Sequence, residues 1–266
     1  MEWFFNFPDM SRSDLREFKK TVDFAFTDFS RSYGAEIEGF FEPLLMFLVW
    51  FEKFFINTPW PLVIFGILVL AWIGSRSIPV VIGTFLSFML IGYFGMWEDT
   101  MSTLAIILVA TFLCISIGIP MGIAMARSNK VQAVIVPVLD VMQTIPSFVY
   151  LIPVVMLLGI GKVPGLIAVC IYAIPPIVRL TNLGIRLVDK DVLEAADSFG
   201  ANYWQKLFGV QMPLALPTIF AGVNQTIMMA LAMVVIASMI GVKGLGLPVL
   251  RACLLYTSPS PRDLST

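Results

Sequence analysis

A chain of 266 residues that is 58% hydrophobic and only 13% charged, with a mean hydropathy of +0.89, lies outside the soluble range and reads as a polytopic membrane protein. A net charge of −1 argues against a nucleic-acid partner, and the absence of His removes the commonest general base and transition-metal ligand together. Cys114 and Cys170 sit in apolar runs and Cys253 near the end, so no disulfide framework is implied.

Residues 1–43 read as a polar tail with partial helix. Up to position 53 the chain carries six Lys or Arg against ten Asp or Glu, a balance of −4, with Phe scattered at no sustained period. The first twenty residues contain no apolar core of a cleavable leader, so insertion is expected from internal spans. Residues 44–97 hold an interfacial helix, Leu44 to Phe55, followed by two spans. The first runs from Phe54 to Ser75 and the second from Ser77 to Trp97, divided by Arg76 in a tight hairpin with Gly74, Ser75 and Ser77. Each is about long enough to cross a hydrocarbon core of ~30 Å.

A core domain is expected over 98–251. Thr100 to Ala126 is an uncharged third span ending at Arg127. Val131 to Gly161 holds only Asp140 and reads as a short surface segment, then a span built around Gln143 to Pro153. Pro146 and Pro153 would leave main-chain carbonyls without partners, which places that helix in the bundle interior or beside a wet cavity. Val163 to Val178 forms a fifth span and Leu214 to Ile240 a sixth, and residues 252–266, rich in Pro and Ser, are expected to be disordered.

Basic residues set the orientation. One side collects Arg76, Arg127, Lys130, Arg179, Arg186, Lys190 and Lys206, the other only Lys162, Lys243 and Arg251. The first side is therefore cytoplasmic and the N-terminus lies outside.

Between the fifth and sixth spans lies a polar island, 184–213. Asp191 is expected to cap a short helix with Val192, Leu193, Ala196 and Phe199 on its apolar side. Gly200 offers positive φ for a sharp turn. A second short helix, Asn202 to Gly209, carries Tyr203, Trp204, Leu207 and Phe208 before Pro213 forces Met212 out of the helical region. By periodicity alone this is an amphipathic loop helix on a membrane surface.

The spacing says more. Glu194-Ala195-Ala196, three residues, Gly200, nine residues, then Val210-Gln-Met-Pro213 resembles the EAA loop of ABC importer permeases, with Val210 and Met212 where the family usually has Ile and Leu. Further stretches are similar to the glycine betaine and proline betaine branch of that family: Leu139 to Pro153, Ala173 to Thr181, Ala221 to Thr226, and Val234 to Gly241 with Gly244-Leu-Gly246. The resemblance covers residues 40–251. Family members continue with at least one more span, which implies a truncated chain with a non-native tail from 252.

The resemblance implies an all-α polytopic bundle of the type I ABC importer kind, in a bacterial inner membrane. It implies that Glu194, Ala195, Ala196 and Gly200 form the coupling helix that docks on an ATP-binding subunit. ATP and Mg would be held by that partner, since no phosphate-loop spacing occurs here and no cofactor is expected in this chain. An external substrate-binding protein and a second permease copy complete the implied assembly. Phe148, Tyr150, Asn224 and Gln225 are the candidate translocation-path residues, because a quaternary ammonium donates no hydrogen bond and is recognised by aromatic faces. Asp140 and Arg179, the only charges near membrane depth, are expected to snorkel at span ends. An ion-gradient-driven transporter would need inverted repeats and midplane carboxylates, neither of which is evident. A non-transporting scaffold would bind a partner through the same loop and move nothing.

Overall fold

A computed structural model describes residues 11–257, which are helical throughout apart from short turns, with no strand among the described residues. The first helix, α1 (Arg12–Asn57), is 46 residues long and begins at Ser11, whose hydroxyl accepts from the Ser13 amide. A polar tail and a separate interfacial helix were expected there, but the two are one element. Read along that helix, the apolar residues do have a period. From Leu15, Phe18, Val22 and Phe26 to Phe47 and Phe51 they recur at steps of three or four, a stripe that the intervening charges conceal in a linear reading. The last turns of α1 pack on the bundle through Leu48, which is fully buried.

After a 105° bend come α2 (Trp60–Ser75) and α3 (Ile78–Tyr93), an apolar hairpin turned at Arg76, which takes φ +47°. Each has 16 residues, about 24 Å at 1.5 Å per residue, so each is shorter than the span expected from the uncharged runs.

The core is built from α4 (Trp97–Arg127), α7 (Lys162–Arg186) and α10 (Met212–Ala237), with α7 in the middle. Small residues let the helices meet. A Cβ on Gly118 would lie 2.4 Å from Ile177 Cγ2, and one on Gly122 would lie 2.8 Å from the Val178 carbonyl oxygen. On the other side of α7, Gly222 of α10 sits where a Cβ would be 3.3 Å from the Ile177 Cα. In lipid, where burying Leu against Leu gains nothing over burying it against acyl chains, such close backbone approach is what van der Waals packing rewards.

Between α4 and α7 the chain makes α5 (Asn129–Thr144) and α6 (Ser147–Leu158), which meet at 93°. The single span expected around Gln143 to Pro153 is therefore broken. Ile145 is extended, as the residue before a proline prefers, and Pro146 caps α6 from outside rather than interrupting it. Only Pro153 stands inside α6.

At the far end, α10 passes through a single 3-10 turn, Ser238–Ile240, and the chain closes back on α4, where the Leu245 amide donates to the Thr103 hydroxyl at 2.8 Å. It ends in α11 (Gly246–Thr257), so residues 252–257 are helical rather than disordered, and 258–266 lie outside the described residues. Among the described residues, three helices are long and apolar enough to cross a membrane, or up to five if each bent pair counts as one.

Candidate functional site

The polar island occupies one end of the bundle, between the end of α7 and the start of α10, so the loop proper is 187–211. Its first helix, α8 (Lys190–Ser198), is capped by Asp189 and not by Asp191: the Asp189 carboxylate accepts the Asp191 amide at 3.0 Å. Acidic Asp191 instead sits in the first turn, where the helix dipole favours it.

The helix ends on Gly200, at φ +75°. The Gly200 amide reaches the Asp197 carbonyl at 2.9 Å and the Ala201 amide reaches that of Ala196 at 3.1 Å, the paired closure of a Schellman turn. A fresh helix, α9 (Tyr203–Lys206), starts at once with a capping box in which Asn202 and Gln205 exchange side-chain and backbone hydrogen bonds at 2.8 and 2.9 Å. The Lys206 ammonium pairs with the Asp197 carboxylate and ties the two short helices together.

Pro213 does not push Met212 out of the helix. The backbone widens into a π turn, Leu207–Gln211, and the Met212 amide reaches back five residues to the Leu207 carbonyl. A π turn relieves the contact between the proline ring and the carbonyl four residues before it, so the helix passes through Pro213 unbroken. Tyr203 to Ile240 is thus one continuous helical segment of 38 residues.

The island is held to the bundle at a few points. Leu207 is 1% exposed and Val188 is buried. The Arg127 guanidinium at the end of α4 lies 4.1 Å from the centroid of the Tyr203 ring. Arg186 donates to the Met125 carbonyl and to Asn129 Oδ1, both at 2.8 Å, and to Asn182 Oδ1 at 3.0 Å, which knots α7 to the α4–α5 junction beneath the loop.

What remains outward is a set of unpartnered groups. Glu194 and Ala195 are exposed and Ala196 half-buried. Phe199, expected on the apolar inner side of α8, is 92% exposed at its C-cap, and Trp204 and Phe208 stack on each other with more than half their surface open. Small Ala side chains and a Cβ-free Gly200 flank these rings. The arrangement is a braced prong with an aromatic edge and two outward carboxylates, Asp191 and Glu194, suited to insertion into a complementary groove. The exposure of Phe199 depends on the turn at Gly200, which a helical-wheel reading carried one residue too far.

The four residues singled out for a translocation path do not form one surface in a single chain. Phe148, on α6, lines an apolar hollow of about 280 Å³ with Met239 and Ile240. Tyr150, half-buried on the same helix, has a hydroxyl with no hydrogen-bond partner. Asn224 and Gln225 lie at the middle of α10, about 22 Å along the axis from Met239 at 1.5 Å per residue, on the exposed side of that helix. Asp140 and Arg179 pair with each other between α5 and α7, both part-exposed. The sequence reading missed Glu52. It is buried in α1, accepts from the Ser102 hydroxyl at 2.9 Å and pairs with Lys162 at the start of α7. Its position one helical turn from buried Leu48 was the available signal, and it was hidden while α1 was read in two pieces.

A family profile described as the binding-protein-dependent transport system inner membrane component matches residues 118–260, past the limit read from motifs. The chain is 50% identical over 214 residues to the glycine betaine/proline betaine transport system permease protein ProW of Escherichia coli (strain K12), covering 80% of this chain and 60% of that protein. It is 58% identical over 170 residues to the Salmonella typhimurium protein of the same name, covering 64% and 48%. It is also 49% identical over 190 residues to the glycine betaine/carnitine transport permease protein GbuB of Listeria monocytogenes serotype 1/2a, covering 71% and 67%. The chain thus spans between about half and two thirds of the length of these relatives. Among solved structures, the MetNI methionine ABC transporter in an inward-facing conformation superposes with a TM-score of 0.53 at 21% identity, over 59% of this chain and 80% of the other, a likeness of fold.

Proposed function

The chain belongs to the family of binding-protein-dependent transport system inner membrane components, and on that premise we propose that it is a permease subunit of an ABC importer for glycine betaine, proline betaine or a related osmolyte. The observation that carries this reading is the braced prong at 187–211. Its exposed Glu194, Ala195, Gly200, Phe199 and Trp204 stand at the end of a helix that continues through the core. The substrate class is supported by the relatives, which are named as permeases for glycine betaine, proline betaine or carnitine.

In this reading the prong docks on an ATP-binding subunit that holds ATP and Mg, so the chain itself needs no hydrolytic site. Nucleotide-driven closure of that partner shifts the balance between inward-open and outward-open arrangements of the spans. A second copy of the permease faces the exposed side of α10. There Asn224 and Gln225 would otherwise present amides to lipid, which is costly without a partner or a wet path. An external binding protein delivers substrate, the N-terminus lies outside, and the assembly sits in the bacterial inner membrane.

The test is uptake and ATP hydrolysis measured together in proteoliposomes containing the chain, its ATP-binding partner and binding protein. Glu194→Lys and Gly200→Val are expected to leave the chain inserted and to abolish stimulation of hydrolysis by loaded binding protein. Full coupling in both variants would remove the assignment of the prong.

A further inference from the structure

The π turn at the root of the prong decides which of its sides faces outward. Along α10 the buried residues Ala215, Ile219, Thr226, Ala230 and Met233 fall within an arc of about 60° when each residue is given the ~100° step of an α-helix. Continued backwards at the same step, that arc runs through Phe208 and Trp204, each about 20° from Ala215, and leaves Leu207 and Tyr203 about 80° and 120° away. The structure shows the opposite. Leu207 is 1% exposed and Tyr203 packs against the core, whereas Phe208 and Trp204 are 60% and 59% exposed. The displacement is that of one residue, about 100°, which is what a single π turn adds to an α-helix. Leu207–Gln211 form that turn, and the Met212 amide closes it on the Leu207 carbonyl.

We propose that Pro213 is a positioning residue for coupling to the ATP-binding partner: by holding the π turn open it keeps the aromatic edge of the prong turned away from the bundle. Pro213 has no amide hydrogen, and in an unbroken α-helix its ring would press on the carbonyl of Gly209, four residues earlier. The wider turn relieves that contact and moves everything before it by one residue's angle. The angle follows from burial alone, and its effect on coupling rests on the permease reading.

The rest of the prong turns with α9. Lys206 pairs with Asp197 of α8, and the capping box of Asn202 and Gln205 fixes the joint between the two short helices. Against the bundle the angle is registered by Arg127, whose guanidinium lies 4.1 Å from the centroid of the Tyr203 ring. With α-helical bonding through 207–211, Tyr203 would leave Arg127, and the larger Phe208 and Trp204 would turn toward the space in which Leu207 is buried.

The experiment compares single cysteines in the full chain in proteoliposomes, with Cys114, Cys170 and Cys253 replaced by Ala and N-ethylmaleimide as the probe. Phe208→Cys is expected to react about tenfold faster than Leu207→Cys. Adding Pro213→Ala should invert that order and, in the complex with the ATP-binding partner, lower the stimulation of ATP hydrolysis by loaded binding protein about tenfold. Pro213 is exposed, so its replacement by Ala leaves no cavity. Deleting Gly209 from the Pro213→Ala chain removes the extra residue of the π turn and should restore both the labelling order and the stimulation. A proline that only stiffened the helix would leave the doubly altered chain worse than the singly altered one. Where Leu207→Cys does not insert, Tyr203→Cys against Trp204→Cys gives the same comparison. An unchanged labelling order in Pro213→Ala overturns the proposal, as does an inverted order with undiminished stimulation or a deletion that restores neither. Absence of stimulation in the unaltered chain removes the permease reading instead, and the labelling order still decides the angle.

Discussion

At Glu52, one buried carboxylate joins three elements: α1 by its own backbone, α4 through Ser102 and α7 through Lys162. Glu52 is 7% exposed while Lys162 keeps a quarter of its side chain in contact with solvent, so the pair is only partly desolvated. Removing one partner leaves the other charge with no counter-ion, and Glu52→Ala is expected to cost about 1.5–3 kcal/mol, read as a lowered unfolding midpoint in detergent. Glu52→Gln with Lys162→Met should cost less than the sum of the two single changes, because no charge is then stranded. Gly200 poses a simpler problem. Space around it is open, so only its backbone conformation matters, and Gly200→Ala should destabilise the turn by about 1 kcal/mol and Gly200→Val by more. Faster hydrogen exchange confined to the amides of 196–201 would show it. Gly200 was legible in the sequence because positive φ has one cheap solution. Glu52 was not, because its partners are 50 and 110 residues away.

Among elements, the long apolar helices α4, α7 and α10 follow from composition, since an apolar run of that length has few other places to go. Their mutual contact does not. It is decided by Gly118, Gly122, Gly184 and Gly222, whose value lies in what they lack. Gly122→Leu would drive a side chain into the Val178 carbonyl and the Thr181 methyl, and should separate α4 from α7 at a cost of about 1–3 kcal/mol. Gly83→Leu, on α3 with nothing within 4 Å, should be silent in the same unfolding assay. The break at Pro146 was not legible. Pro146 and Pro153 were read inside one span, and an extended Ile145 and a 93° corner were not inferred, because a run of 31 residues with one charge also fits a single tilted span. At Pro213 the opposite error arises: proline suggested a stop, and a π turn absorbs it.

For the whole molecule, the asymmetry of Lys and Arg predicts which end faces which compartment, an expectation independent of any contact. Single cysteines in a background where Cys114, Cys170 and Cys253 are Ala report on it. A membrane-impermeant thiol reagent added outside should label a cysteine at Gly159, between α6 and α7, and spare one at Ser75 in the α2–α3 turn. The reverse pattern would invert the bundle. The prong was legible as a motif because its residues are contiguous. A path for substrate was not, since Phe148 and Asn224 lie on different surfaces of the chain.

The continuous helix from Tyr203 to Ile240 has a mechanical consequence. Near its middle, at Gly222, its backbone comes against Ile177 and Leu180 of α7, 18 residues from Trp204 and 18 from Ile240. At 1.5 Å per residue each half is about 27 Å long. Buried residues line it from Leu207 through Ala215 and Ala230 to Ala237, so a push at the aromatic edge of the prong is shared along the whole seam with α7 and reaches as far as the hollow where Ile240 meets Phe148.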